Sequence, residues 1–191
     1  MAKPFDIHIL NNTAISAVNE VFKELCHADP TAEPVITEKE IIEYDSRMRV
    51  MPMEKFNGLA YAGVINYYLS QKDLDTGLAV GTFIFIIKEE YAEKLIRAMG
   101  RVKVDMDNED AVRESLGEFG KALAQKIKDA VVSNSYADLL ISTPLIYKNV
   151  VPEGAQFDYN LYKKQELIFS FWNKQCVVVE VCMGNVPQRA R

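Results

Sequence analysis

The sequence predicts an α+β fold in which antiparallel strands pack with a long central helix, the whole outlined as a pseudo-two-fold repeat. Three observations carry this expectation. Val112, Leu116, Phe119, Leu123, Ile127 and Ala130 recur at the three- and four-residue spacing of one buried helical face, while Glu114, Glu118, Lys121 and Gln125 project opposite. Two pairs of strand-like runs, within 58–88 and 157–184, are each joined by a short polar connection. Both halves run helix, extended region, hairpin, without repeating each other's sequence. Neighbouring strands separated by helices favour this class over a doubly wound sheet.

In chain order, NNTAISAVNEVFKEL reads as a helix capped by Asn12 or Thr13, with Ile15, Val18, Phe22 and Leu25 as its apolar stripe. HADPTAEP ends it with two prolines. VITEKEIIEYDSRMRVM is rich in β-branched residues and reads as one or two strands. GLAYAGVINYYL and GLAVGTFIFIIK form an antiparallel hairpin across the polar turn SQKDLDT. EEYAEKLIRAMG is a helix with acids in its first turn and Gly100 at its C-cap, and VDMDNED supplies caps for the long helix. ADLLISTPLIYKN is a strand interrupted at Pro144, which confines it to an edge or a bulge. FDYNLYKKQELIFSFW and QCVVVEVCMG make the second hairpin around NK.

A chain of 191 residues suits one domain spanning 1–191, and 49% hydrophobic with 26% charged residues is ordinary globular composition. A net charge of −5 without a basic run argues against nucleic acid as a partner; the basic PQRAR reads as a frayed end. Cys176 and Cys182 lie six residues apart in a strand-like run, about 20 Å, too far to bridge. With Cys26 they read as reduced core thiols. MAKPFDIHIL lacks the apolar core of a secretory signal, and no run of 18 apolar residues exists to insert into a membrane. The expected compartment is the cytoplasm.

Few residues offer chemistry. His8 and His27 have no ligand-like spacing to the cysteines, which leaves no metal site and no histidine-dependent nucleophile. GLAVG and GEFG lack the lysine–hydroxyl ending and strand-to-helix setting of phosphate loops. Phe169, Phe171 and Trp172 sit at strand spacing and read as core rather than as a stacking platform. Glu118 and Lys121 match the spacing of a surface ion pair, which Glu20 and Lys23 repeat in the first helix.

The long helix and the segment C-terminal to it together carry a more specific signal. ESLGEFGK, with Pro144 of ISTPLIY placed 22 residues further on, resembles the motif of the CheC/CheX family of chemotaxis phosphatases. That motif runs acid or serine, three residues, glutamate, two residues, asparagine, 22 residues, proline. Glu114, Glu118 and Pro144 match it, and Lys121 stands where the asparagine belongs. The resemblance extends from about residue 11 to 184, and residues 30–52 are longer than the family needs. With no such motif legible in the first helix, the chain is more similar to one-site CheX than to two-site CheC.

The resemblance implies docking on a phosphorylated CheY-type response regulator in two-component signalling, and a homodimer through the sheets. It implies hydrolysis of the regulator's phosphoaspartate with Mg²⁺ supplied by that regulator and no cofactor of the chain's own. In the family the glutamate pairs with a regulator lysine while the asparagine amide orients the attacking water. A lysine ammonium donates three hydrogen bonds and accepts none, so Lys121 cannot aim a water in that way. Three readings stay open: a silenced site kept for binding, a cation set on a phosphoryl oxygen, or Gln125 supplying the amide one turn along. An unrelated binding module on the same fold is the remaining alternative.

Overall fold

A computed structural model of the chain describes residues 5–189. The N-terminal reading falls partly on residues 1–4, outside that range, as do the last two residues of PQRAR. The rest of that segment is held rather than frayed: Pro187 O accepts from Ala137 N (2.7 Å) and Arg189 N donates to Ser135 O (2.8 Å).

Helix α1 (Ile7–Cys26) starts earlier than the spacing suggested, because Asp6 caps it by accepting from His8 N and Ile9 N. Asn12 and Thr13 lie more than a turn inside the helix and so do not cap it; Ala14, Ala17, Val18, Val21 and Phe22 form the core stripe, with Ile15 and Leu25 at its margins. Strand β1 (Pro30–Glu40) begins inside HADPTAEP, the proline-containing segment that ends α1, and takes in both of its prolines. It is the sheet's outermost strand, so its prolines need supply no ladder donor on the free side. The strands β2 (Glu43–Tyr44) and β3 (Arg47–Met48) and the short helix α2 (Pro52–Phe56) come next.

Strands β4 (Ala60–Tyr68) and β5 (Gly81–Lys88) pair antiparallel as expected. The expected turn between them is a helix, α3 (Gln71–Thr76), started by Ser70 Oγ accepting from Asp73 N and ended by Gly77. It buries nothing, so no apolar period announces it. Helix α4 (Glu89–Ala98) is capped by Met99, with Gly100 one residue beyond at φ 82°. Helix α5 (Glu109–Ser133) is capped by Asn108; its buried stripe closes on Val131, and Ala130 sits at the margin. Strands β6 (Leu140–Ile141) and β7 (Leu145–Lys148) flank Pro144, both on β4's outer edge. Strands β8 (Lys163–Phe171) and β9 (Lys174–Met183) close the fold across a two-residue turn at Trp172–Asn173, both left-handed, one position before the expected NK.

One sheet runs β1-β8-β9-β5-β4-β6, with β7 also on β4. The order makes the pseudo-repeat physical. The β4–β5 and β8–β9 hairpins meet at the β5–β9 centre, and each half's extended segment borders the other half's hairpin. Odd-numbered residues of the four central strands face α1, α4 and α5, as with Ile65, Phe85, Phe169 and Val179. Even-numbered ones face a second, smaller core under Met48, Val50, Ala155 and Phe157. Residues 30–52 are thus the outer strand and part of that second cover. Two-sided burial explains why these strands read as unbroken apolar runs rather than alternating ones.

The three cysteines are free and buried; burial pushes the Cys26 and Cys182 thiols up to about 12 and Cys176 to about 11, so all stay protonated and unreactive near neutrality. No described helix is long and apolar enough to cross a membrane. Among the described residues no three His, Cys, Asp or Glu side chains gather as a metal site.

Candidate functional site

The polar face of α5 forms one wall of a groove of about 490 Å³. Arg113, Glu114, Gly117, Glu118 and Lys121 line that wall, and Thr143 to Tyr147 line the other. The groove exists because the strand breaks. Along β4, Tyr61–Val64 pair with β7 and Tyr67–Tyr68 with β6, leaving the residues between them opposite 142–144. Ser142 bridges the gap, its N–H donating to Asn66 O (2.9 Å) and its hydroxyl accepting from Asn66 N (2.9 Å). Pro144, which has no ladder donor, is buried there against α5. Gly120 makes room behind the groove: a Cβ at that position would stand 2.8 Å from the Phe85 ring, while Pro144 Cβ would be in ordinary contact at 3.5 Å.

Glu114, Glu118, Lys121 and Pro144 therefore share one site. Gln125 does not join them; it lies further along the helix, and its amide donates to Asp129 Oδ1 (2.8 Å). Glu118 is paired with Arg101, which lies just beyond α4, while Arg113 is held by Glu109. Glu114 and Lys121 make no ion pair among the described residues. The groove thus carries carboxylates beside an uncommitted ammonium. Such a surface can meet a cationic group and an anionic oxygen at neighbouring points.

The sequence reading missed Arg101, Arg113, Thr143 and Tyr147. Helical spacing places Arg113 one turn from Gly117 and two from Lys121, and so could have found it. Nothing local links Arg101 to Glu118, because the contact joins the segment after α4 to α5.

Offsetting α1 by 98 residues overlays its buried positions Ala14, Ala17, Val18, Val21 and Phe22 on Val112, Ser115, Leu116, Phe119 and Gly120. Glu20 and Lys23 then correspond to Glu118 and Lys121. On α1, however, Glu20 accepts from Ser16 Oγ (2.7 Å) and pairs with Lys126 of α5 (3.0 Å), which hold its carboxyl below the usual range. That face is used between the helices.

A second cavity, of about 560 Å³, lies on the opposite face of the sheet. Its buried charges pair with one another: Lys164 with Glu180 (2.7 Å), Lys55 with Glu180 (2.5 Å) and Lys55 with Glu166. It offers an incoming group less than the α5 groove does.

Solved structures similar to this chain include CheX from Desulfovibrio desulfuricans, with a TM-score of 0.63 at 12% identity over 91% of this chain and 98% of that one. The CheX–CheY–BeF3–Mg²⁺ complex from Borrelia burgdorferi gives 0.60 at 10% identity, covering 94% and 98%. The chain has the CheC/CheX fold. CheX from Vibrio vulnificus gives 0.59 at 16% identity over 91% and 97% of the two chains. No family model and no curated protein matches the sequence. On this CheC/CheX fold the groove joins the long helix to the proline-broken edge strand.

Proposed function

We propose that the α5 groove docks on a phosphorylated CheY-type response regulator in a chemotaxis signalling pathway, and that the chain hydrolyses the regulator's phosphoaspartate poorly. The observation that carries this reading is the convergence of Glu118, Lys121 and Pro144 on one groove of a CheC/CheX fold. Glu118 would engage a cationic side chain of the regulator, and Glu114 flanks it. Lys121 replaces an amide that both donates and accepts with an ammonium that only donates, so no lone pair orients the attacking water. It also sets a positive charge toward a partner site that would hold its own Mg²⁺, which opposes docking. Phosphoryl transfer depends on positioning and charge stabilisation, with the metal in this case coming from the regulator, so the chain needs no cofactor of its own.

The test tracks the decay of a phosphorylated CheY-type regulator with stoichiometric protein, alongside its binding. Wild type is expected to bind with little acceleration, Glu118→Ala to weaken binding about tenfold, and Lys121→Asn to accelerate decay about tenfold or more, within the range of a positioned general catalyst. Strong acceleration by wild type that Glu118→Ala abolishes would instead establish the alternative, an active phosphatase with Lys121 in its site. Absence of binding by every variant would leave the fold serving an unrelated partner.

A homodimer belongs to the same proposal. Among the described residues the outer edge of β1 is unpaired, and Val35 and Ile36 are exposed on that strand, the kind of edge that pairs with a second copy. Light scattering should give twice the chain mass, falling to the monomer value in Val35→Lys/Ile36→Lys; a monomeric wild type at high micromolar concentration would refute it.

A further inference from the structure

The carboxylate that the docking reading assigns to a partner's cation already holds one. Arg101 pairs with Glu118 and also donates through Nη1 to Ser115 Oγ (3.4 Å). Its placement is built into the chain. At the end of α4, Gly100 N donates to Arg97 O (3.0 Å) and Arg101 N to Ile96 O (3.2 Å), the paired bonds of a Schellman motif. Gly100 takes the left-handed φ of 82° that this motif requires and turns the next residue toward α5. Met99 N–H bonds back to Leu95 O (3.0 Å), so the turn is hydrogen-bonded throughout.

We propose that Arg101 is an internal competitor for the partner's cationic group at Glu118, a positioning residue that tunes how readily the groove accepts its regulator. This rests on the docking reading above. Both side chains keep access to water, Arg101 at 31% and Glu118 at 47% exposure, so an incoming cation can reach the carboxylate and the guanidinium can swing away. Of the cations lining the groove, Arg113 is engaged by Glu109 and Lys121 makes no ion pair among the described residues, so Arg101 alone occupies Glu118. Exposed ion pairs are weak, so displacing Arg101 costs about two- to fivefold in affinity and the contact tunes docking rather than blocking it.

The experiment titrates a Mg²⁺-loaded, beryllofluoride-activated CheY-type regulator into wild type, Arg101→Gln, Arg101→Lys, Glu118→Gln and the double variant Arg101→Gln/Glu118→Gln. Lys103→Gln, an exposed neighbour outside the groove, controls for net charge. Arg101→Gln should bind about two- to fivefold tighter, and Arg101→Lys, which keeps a cation, should stay at the wild-type value. In the Glu118→Gln background, Arg101→Gln should change nothing. If Glu118→Gln weakens binding but Arg101→Gln fails to tighten it, the competitor role falls while the docking reading stands. An equal gain from Lys103→Gln also overturns the role, by assigning the effect to net charge. If Glu118→Gln leaves binding unchanged, or no variant binds, the docking reading falls and takes the inference with it.

Discussion

Glu180→Leu is expected to lower the stability of the fold by about 3–5 kcal/mol, a large fraction of the total for one domain. Glu180 is fully buried on the face of the sheet away from α1, α4 and α5. Its carboxylate receives Lys164 at 2.7 Å and Lys55 at 2.5 Å, and Lys164 is itself only 7% exposed. Leucine leaves the Lys164 ammonium buried without a counter-charge, which is the costly step. Glu166 lies directly across from Glu180 in the β8–β9 register, so the two carboxylates repel one another and depend on Lys55, which engages both. Replacing Glu180 and Lys164 together, by leucine and methionine, should restore most of the loss, since a buried pair exchanged for packed apolar groups is often neutral. Urea unfolding with an unchanged m-value measures both effects. A loss under about 1 kcal/mol in the single variant would show that water reaches Lys164 in place of the carboxylate.

The same network has a pH signature of known sign. Burial alone would push the Lys55 ammonium down, but the Glu180 and Glu166 carboxylates outweigh it and hold its pKa above the ordinary lysine value. A group raised on folding contributes stability that is complete below its unfolded value, about 10.4 for lysine, and lost as pH rises through the higher folded value. Between pH 6 and 9 the contribution should therefore be flat, and wild type should lose its advantage over Lys55→Met only above about pH 10.5.

The second large effect is expected at the back of the groove. Gly120→Val should cost about 1–3 kcal/mol and weaken regulator docking by more than the stability loss explains. The Phe85 ring is wedged between Gly63 of β4 and Gly120 of α5, and it meets Phe119 edge-on at 5.5 Å. A valine at 120 enters that ring and the space of Ile65 and Pro144 together. In a close-packed interior the helix must back away, and the Pro144 wall of the groove moves with respect to Glu118 and Lys121. Helix propensity alone argues the other way, since glycine inside a helix costs about 1 kcal/mol relative to alanine. The pair Gly120→Ala/Phe85→Leu separates the two terms: opening the ring's space should let alanine's propensity gain appear. Comparing unfolding midpoints with regulator affinity at a temperature where every variant is folded checks the prediction. A Gly120→Val variant with unimpaired docking would show that the groove does not need the close approach.

Periodicity alone determined much of this molecule. The long helix, its polar face, both hairpins and the interruption at Pro144 were legible because each is a local pattern: a 3.6-residue stripe, a run of β-branched residues, a proline that cannot donate. The spacing from Glu118 to Pro144 is not a local pattern; it carried meaning only through the resemblance to the CheC/CheX motif, which reached Glu114, Glu118, Lys121 and Pro144 among the residues of the groove. Weak local cues misplace the remaining elements. α1 begins at an Asp6 cap, ahead of the Asn12 or Thr13 cap that the stripe suggests. α3 is too short and too exposed to show a period, and β1 is an outer strand that takes in the two prolines after α1.

Tertiary structure alone decided the rest. Only the strand order β1-β8-β9-β5-β4 shows that each half borders the other's hairpin, and only that order leaves a gap on β4 for Pro144 to enter. The Arg101–Glu118 contact, the Lys55–Glu166–Glu180–Lys164 network and the withdrawal of Gln125 toward Asp129 depend on which surfaces meet. The physical reason is range. Hydrophobic period and backbone chemistry act between residues a few positions apart and are written along the chain. Charge pairing and close approach act across space between residues from separate elements, and they exist only once the sheet has set those elements side by side.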